Sequence, residues 1–145
     1  MRILSFDSLD STSSHASRLL DAAPGDLPFA VISRSQSHGR GRSGRDWKSP
    51  DGGLYLTLVL PSCPAVSEQG QLPLWAAAVT AQWIFKRFGI RSTIKWPNDL
   101  LFGGRKLAGI LCESRVQGKD WGPFMVGIGI NLNDITAVAN EDVSA

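Results

Sequence analysis

Residues 33–50, SRSQSHGRGRSGRDWKSP, set cations and glycines between two apolar runs, and they restrict what this chain can build more than any other stretch. Gly39, Gly41 and Gly44 alternate with Arg40, Arg42 and Arg45. Glycine opens backbone conformations closed to other residues, so the three guanidinium groups can turn inward onto one anion, a phosphate or a carboxylate. FAVIS at residues 29–33 and LYLTLVL at 54–60 read as strands on either side. Residues 34–53 between them lack periodicity and are expected as a long irregular loop, a length that compact domains mostly reserve for function. Taken alone, GRGRSGR also suits a solvated basic loop or a disordered nucleic-acid-binding segment. The abutting strands favour the functional loop, because low-complexity segments run on through many repeats.

The 145 residues fit one domain, and 43% hydrophobic content is enough for one ordinary core. A net charge of +2 keeps the basic character local to the loop, which argues against a generally polyanion-coating surface. Cys63 and Cys112 are too few for a disulfide framework, and residues 1–10 lack the apolar core of a signal peptide. A reducing cytoplasm is the expected compartment. No apolar run approaches the roughly eighteen residues of a membrane span, so no membrane attachment is expected.

In chain order, residues 2–6 read as a short strand and the Asp, Ser and Thr cluster at 7–14 as a helix start. Ala16, Leu19, Leu20 and Ala23 give that helix its apolar stripe, and Pro24-Gly25 ends it. The hydroxyls of Ser11, Thr12 and Ser13 either cap the helix or line a polar pocket, and both can hold at once. Leu54, Leu56, Leu58 and Leu60 share one strand face. After a Pro and Ser-rich connection over 61–73, a second helix ends at Gly89, with Leu74, Ala78, Ala81, Phe85 and Phe88 expected inward and Trp75 and Trp83 packed on its flanks. Short strands follow at 92–95, 100–102, 106–113 and 124–131, with hairpin turns at Gly103-Gly104 and at 117–120. The last three strands should form an antiparallel meander. Gly127 and Gly129 mark either a close approach to the backbone or a bulge, and residues 134–145 show no closing helix. The class is α+β: a mixed, largely antiparallel sheet with helices packed on one face.

A second polar cluster, IKWPNDLLFGGRKLAGILCE at 94–113, carries Lys95, Asn98, Asp99, Lys106 and Glu113. Pro97 cannot donate in a ladder, so the strand ends there and presents Asn98 and Asp99 at the sheet tip, where sites are common.

GRGRSGRDWKSP with LYLTL, then KWPNDL, RKLAGIL and GIGINLN, resembles the catalytic domain of biotin protein ligases in order and spacing, over residues 10–133. The resemblance implies a class II synthetase-like biotin/lipoate ligase fold and a two-step reaction. Biotin and ATP, with Mg2+, give biotinyl-5'-adenylate and pyrophosphate, and the acyl group then passes to a lysine of a biotin carboxyl carrier protein. It implies further that Ser11, Thr12 and Gln36 bind the ureido ring, with Ser13 beside them in the biotin site and the backbone at Arg40 and Gly41 closing over the ligand. Arg42 and Lys106 would be the catalytic cations, facing carboxylate and phosphate. Arg45, Trp47, Asn98, Asp99 and Asn131 would lie near the nucleotide, and metal ligands are unassigned.

The chain departs from the family at several points. Ser13 stands where asparagine is common and Ser43 where arginine is frequent. No winged helix-turn-helix precedes Met1, so no DNA partner is expected. The domain, spanning 1–145, is expected to be incomplete at its C-terminus, since the family continues into further helices and a small SH3-like domain. A homodimer is compatible with the resemblance. Two rival functions stay open: a lipoate or octanoate ligase or transferase of the same fold, and a biotin-binding module without ligase turnover.

The residue chemistry suits adenylation. A carboxylate approaching a triphosphate is repelled by roughly 4 kcal/mol per pair of unit charges at about 4 Å and an effective dielectric near 20. Two or three charge-assisted hydrogen bonds from arginine or lysine, each worth about 1.5–3 kcal/mol, offset this.

Overall fold

The computed structural model describes residues 1–61, 71–117 and 120–132. Its elements are β1 (Arg2–Leu9), α1 (Thr12–Ala22), β2 (Phe29–Arg40), a 3-10 turn (Arg42–Gly44), β3 (Asp46–Ser49), β4 (Leu54–Leu60), α2 (Leu72–Phe88), β5 (Thr93–Lys95), β6 (Asp99–Phe102), β7 (Arg105–Gln117) and β8 (Asp120–Ile130). The sheet runs β1-β2-β4-β8-β7-β6-β5, with β3 added to the far half of β2. Among the described residues only β1 and β2 pair in parallel, because α1 carries the chain back between them; the other ladders are antiparallel. The expected meander at the end of the chain is present, and Gly103 and Gly104 turn β6 into β7 with φ of 59° and 77°. Gln117 pairs with Asp120 around the second turn, whose centre lies outside the described residues, as do most of the 61–73 connection and residues 134–145.

Strand alternation sorts the core into two layers. Directly paired residues share a sheet face, so Leu54, Leu56 and Leu58 lie with Ile130, Ile128 and Val126, while Tyr55, Thr57 and Val59 lie with Gly129, Gly127 and Met125. α2 packs Ala77 and Ile84 against Ala108, Ile110, Val126 and Ile130 on the first face. α1 packs Ala16 and Leu20 against Phe29, Val31, Val59 and Met125 on the second. Each fully buried aliphatic or aromatic side chain stabilises by about 1.5–3 kcal/mol. The mixed, largely antiparallel sheet is as expected, but the two helices lie on opposite faces. β4 contributes to both layers because Tyr55, Thr57 and Val59 alternate with its leucines.

Two expectations change more substantially. The segment 34–53 is not an irregular loop. β2 continues through Ser35, Gln36 and Gly39 to Arg40, and β3 folds back on it with Gln36 opposite Ser49 and Gly39 opposite Trp47. Polar residues hold a strand here because ladders on both sides, to β1 and to β3, satisfy the backbone without apolar alternation. Gly41 N donates to Arg45 O at 2.7 Å and closes the hairpin tip. Arg34, outside the alternating glycine and arginine run, pairs with Asp51 at the exposed surface.

On α2 the inward residues are Ala77, Thr80 and Ile84, whereas Leu74, Phe85 and Phe88 are exposed, as are Trp75 (68%) and Trp83 (51%). LPLWAAAVTAQWIF is apolar around its whole circumference, so periodicity does not single out one stripe. The sheet admits the small side chains, and the large rings turn outward, where Arg91 and Arg87 sit over Phe85 and Phe88. Gly89 caps the helix in the left-handed region as expected, with φ of 71°.

Candidate functional site

α1 begins where β1 ends, and Asp10 fixes that junction. Arg18 donates to both carboxylate oxygens of Asp10 at 2.8 Å, which holds the Asp10 carboxyl well below the usual carboxylate range. The carbonyl of Asp10 accepts from His38 N at 2.8 Å and ties this corner to β2. Ser11 then caps the helix by accepting from Ser14 N at 3.4 Å, while its side chain also faces a cleft: capping and lining coincide.

That cleft, of ≈ 930 Å³, lies on the α1 side of the sheet, between the start of α1, the β2–β3 hairpin and the turn joining β5 to β6. Ser11, Thr12, Ser13 and Gln36 stand at one end; Arg40, Gly41, Arg42, Arg45 and Trp47 follow along the hairpin; Asn98, Asp99 and Lys106 border the far wall. Asn131 does not line it. Its side-chain amide donates to Lys106 O at 3.1 Å and its backbone to Leu107 O at 2.8 Å, so it fixes the start of β7 from behind.

At the polar end, Thr12 N donates to Gln36 Oε1 and Gln36 Nε2 donates to Ser49 Oγ, both at 2.7 Å. Gln36 therefore ties helix to hairpin and keeps one amide hydrogen and one acceptor site for a ligand. Leu111, the Trp47 ring and the glycines Gly109, Gly127 and Gly129 make an apolar stretch beyond it.

Five cations, Arg40, Arg42, Arg45, Lys95 and Lys106, line the cleft against two carboxylates, Asp46 and Asp99, a balance of +3 where the whole chain carries only +2. The cations are held in place. Arg40 pairs with Glu113 of β7, Arg42 Nη1 donates to Asn98 Oδ1 at 3.2 Å, and Lys106 Nζ lies 3.0 Å from Asp99 Oδ2. Lys106 also sits over the Trp47 ring, 5.0 Å from its centroid, with only 20% of its side chain exposed. Among the described residues no cluster of three or more His, Cys, Asp or Glu side chains could hold a metal ion.

The glycine signal at the end of the chain resolves as close approach. A β-carbon on Gly129 would fall 2.5 Å from the Trp47 indole, and one on Gly109, its partner across the ladder, 2.7 Å from it. Sequence reasoning noticed Gly129 but passed over Gly109, whose place inside a strand carries the same signal. It also missed Asp46 and Tyr55, which line the cleft, and Thr57 beneath it, the one aliphatic hydroxyl in the apolar run of β4.

These features can be set beside known proteins. The model of the Biotin/lipoate A/B protein ligase family matches residues 5–133. The chain is 42% identical over 126 residues to the Biotin--[acetyl-CoA-carboxylase] ligase of Paracoccus denitrificans, covering 85% of this chain and 51% of that protein. It is 38% identical over 130 residues to the Bifunctional ligase/repressor BirA of Bacillus subtilis, 88% of this chain and 39% of that one. The Aquifex aeolicus biotin protein ligase solved in complex with biotin and ATP superposes with a TM-score of 0.76 at 31% identity, over 92% of this chain and 53% of that chain. The chain thus spans about half, or less, of the length of these relatives. Because the match takes in the sheet, both helices and every element bordering the cleft, the chain belongs to the Biotin/lipoate A/B protein ligase family, with the fold of the biotin protein ligases.

Proposed function

We propose that this chain activates biotin with ATP and transfers it to a lysine of a biotin carboxyl carrier protein. The observation that carries this reading is the division of one cleft into a hydroxyl and amide end at Ser11, Thr12, Ser13 and Gln36, an apolar middle, and a cationic end at Arg42 and Lys106. A ureido ring, an alkyl chain and a carboxylate follow one another in biotin in that order. The Aquifex relative binds biotin and ATP, which supports the same pair of ligands here.

In the first step a biotin carboxylate oxygen attacks the α-phosphorus of ATP, a P–O bond forms, and pyrophosphate leaves with the electrons of the broken bond. Magnesium enters with the nucleotide as MgATP. Lys106 and Arg42 offset the repulsion between the two anions and hold them in attack geometry, without giving or taking a proton. Arg45, Trp47, Asn98 and Asp99 bind the nucleotide portion, and Asn131 acts by holding the backbone of Lys106. In the second step the lysine amine of the carrier attacks the acyl carbon, the amide forms, and AMP departs. A lipoate ligase is the second reading, favoured by the family's breadth. The polar end of the cleft weighs against it, because a dithiolane ring leaves those groups unpaired.

The test is incubation of this chain with biotin and MgATP, then with lipoate and MgATP, assaying acyl-adenylate and pyrophosphate. Biotinyl-adenylate with no lipoyl-adenylate is the expected result. Binding of biotin without pyrophosphate release would reduce the chain to a binding module.

A further inference from the structure

Thr57 does not line the cleft, yet it touches two residues that do. It is fully buried on β4, beneath Thr12 and Ser13 at the start of α1. Its Oγ1 donates to Thr12 Oγ1 at 2.9 Å, and Ser13 Oγ lies 3.1 Å from the same atom. A hydroxyl carries a single hydrogen. Since that of Thr57 goes to Thr12, the hydrogen in the Ser13–Thr57 bond comes from Ser13. The Thr12 hydroxyl, already an acceptor, keeps its own hydrogen for the cleft, whereas the Ser13 oxygen has only lone pairs to offer. Gly127, which pairs with Thr57 across the ladder, leaves room for this: a β-carbon there would lie 3.0 Å from Ser13 Oγ.

We infer that Thr57 is a positioning residue that sets the hydrogen-bond polarity of the polar end of the cleft, making Thr12 the donor and Ser13 the acceptor. The inference rests on the biotin reading above and deepens it. A ureido group presents a carbonyl oxygen beside an N–H, the complement of a donor beside an acceptor. A group with hydrogens at both positions meets the Thr12 hydrogen head-on.

2-Iminobiotin makes that comparison, because at neutral pH its guanidinium replaces the carbonyl oxygen with an N–H donor. Calorimetric titration of biotin and of 2-iminobiotin into the wild-type chain, Thr57→Val and Thr57→Ser reads the polarity directly. The wild type is expected to prefer biotin by at least about tenfold, the one hydrogen-bond mismatch at Thr12 costing about tenfold or more. Thr57→Val keeps the shape but frees Thr12 and Ser13 to turn, so the preference should fall severalfold, toward parity, and Thr57→Ser should keep it. General loosening of the sheet would weaken both ligands alike and leave the ratio unchanged. Should Thr57→Val fail to fold, Thr57→Cys, whose thiol is a weak donor, carries the same expectation. An unchanged ratio in the folded variant, or no preference in the wild type, overturns the role of Thr57 while biotinyl-adenylate formation by the wild type leaves the proposed function standing. A wild type that neither binds biotin nor forms adenylate removes both.

Discussion

The indole of Trp47 rests against Gly129 so closely that a β-carbon there would fall 2.5 Å from its Cε2 and Nε1, closer than packed side chains tolerate. The hairpin carrying the arginines is thus seated on the sheet by a ring that fits only over missing side chains. Gly129→Ala should lift Trp47 off the sheet, costing about 1–3 kcal/mol of stability as an overpacked contact and slowing adenylate formation. In a Trp47→Ala background the same substitution should be nearly neutral. Thermal unfolding of the two single variants and the double variant measures the coupling, and additive losses would mean that the ring and the glycine do not meet.

Lys106 and Asp99 form a pair in which each side chain is about four-fifths buried, the carboxylate retaining a second oxygen, Oδ1, with no hydrogen-bond partner among the described residues. Lys106→Ala should lower adenylate formation by at least about a hundredfold, since in the proposed reaction Lys106 faces the developing charge. The pairing adds a stability loss that an exposed hairpin lysine would not cause, because Asp99 is left as a nearly buried anion without its counter-charge. Asp99→Asn should keep the lysine charge but lose its aim, with a smaller fall in turnover. Single-turnover adenylation and urea denaturation of both variants check this. A Lys106→Ala chain with wild-type turnover takes Lys106 out of the chemistry.

How much of this was legible beforehand depended on which signals are local. The Gly103-Gly104 turn, the Gly89 cap and the Leu54–Leu60 strand follow from rules acting over a few residues, and each was readable. β3 was not, because DWKS has no alternation and is a strand only through its ladder to β2. The inward face of α2 was misread for the opposite reason, an excess of apolar residues. In the cleft, charges and glycines announced themselves by type. The partners that fix them, Glu113 for Arg40 and Thr57 for Thr12, lie 73 and 45 positions away and became visible only with the fold.

α2 tests its own corrected orientation. Ile84 is buried between helix and sheet, and Ile84→Ala should cost about 2–5 kcal/mol through lost burial and the cavity left behind. Trp75 is mostly exposed, and Trp75→Ala should stay within about 0.5 kcal/mol of the wild type despite removing a larger side chain. Equilibrium denaturation in urea ranks the two. A larger loss at Trp75 than at Ile84 would reverse the helix.

Cys112 supplies the last prediction, on pH. It lies on β7 opposite Val126, packed at the edge of the α2 core, and burial, with the negative charge of neighbouring Glu113 second, pushes its thiol from an ordinary 9.0 up to about 12. The thiolate is the reactive form, so at pH 8 the folded chain should alkylate about a thousandfold more slowly than an ordinary thiol. Cys63 is removed by Cys63→Ser so that one thiol is read. Iodoacetamide labelling should then be slow in buffer and fast in denaturing urea. The same shift bears on stability. The folded state holds the thiol proton more tightly than the unfolded state, so the contribution is whole below pH 9 and is lost as pH rises toward 12, where the unfolded chain gives up a proton that the folded chain keeps. Denaturation midpoints of the Cys63→Ser chain and of the same chain with Cys112→Ala should therefore converge or cross as pH climbs above 9, the cysteine form losing ground. Midpoints that stay parallel through that range, or native labelling as fast as unfolded, would show that Cys112 is not held neutral by its surroundings.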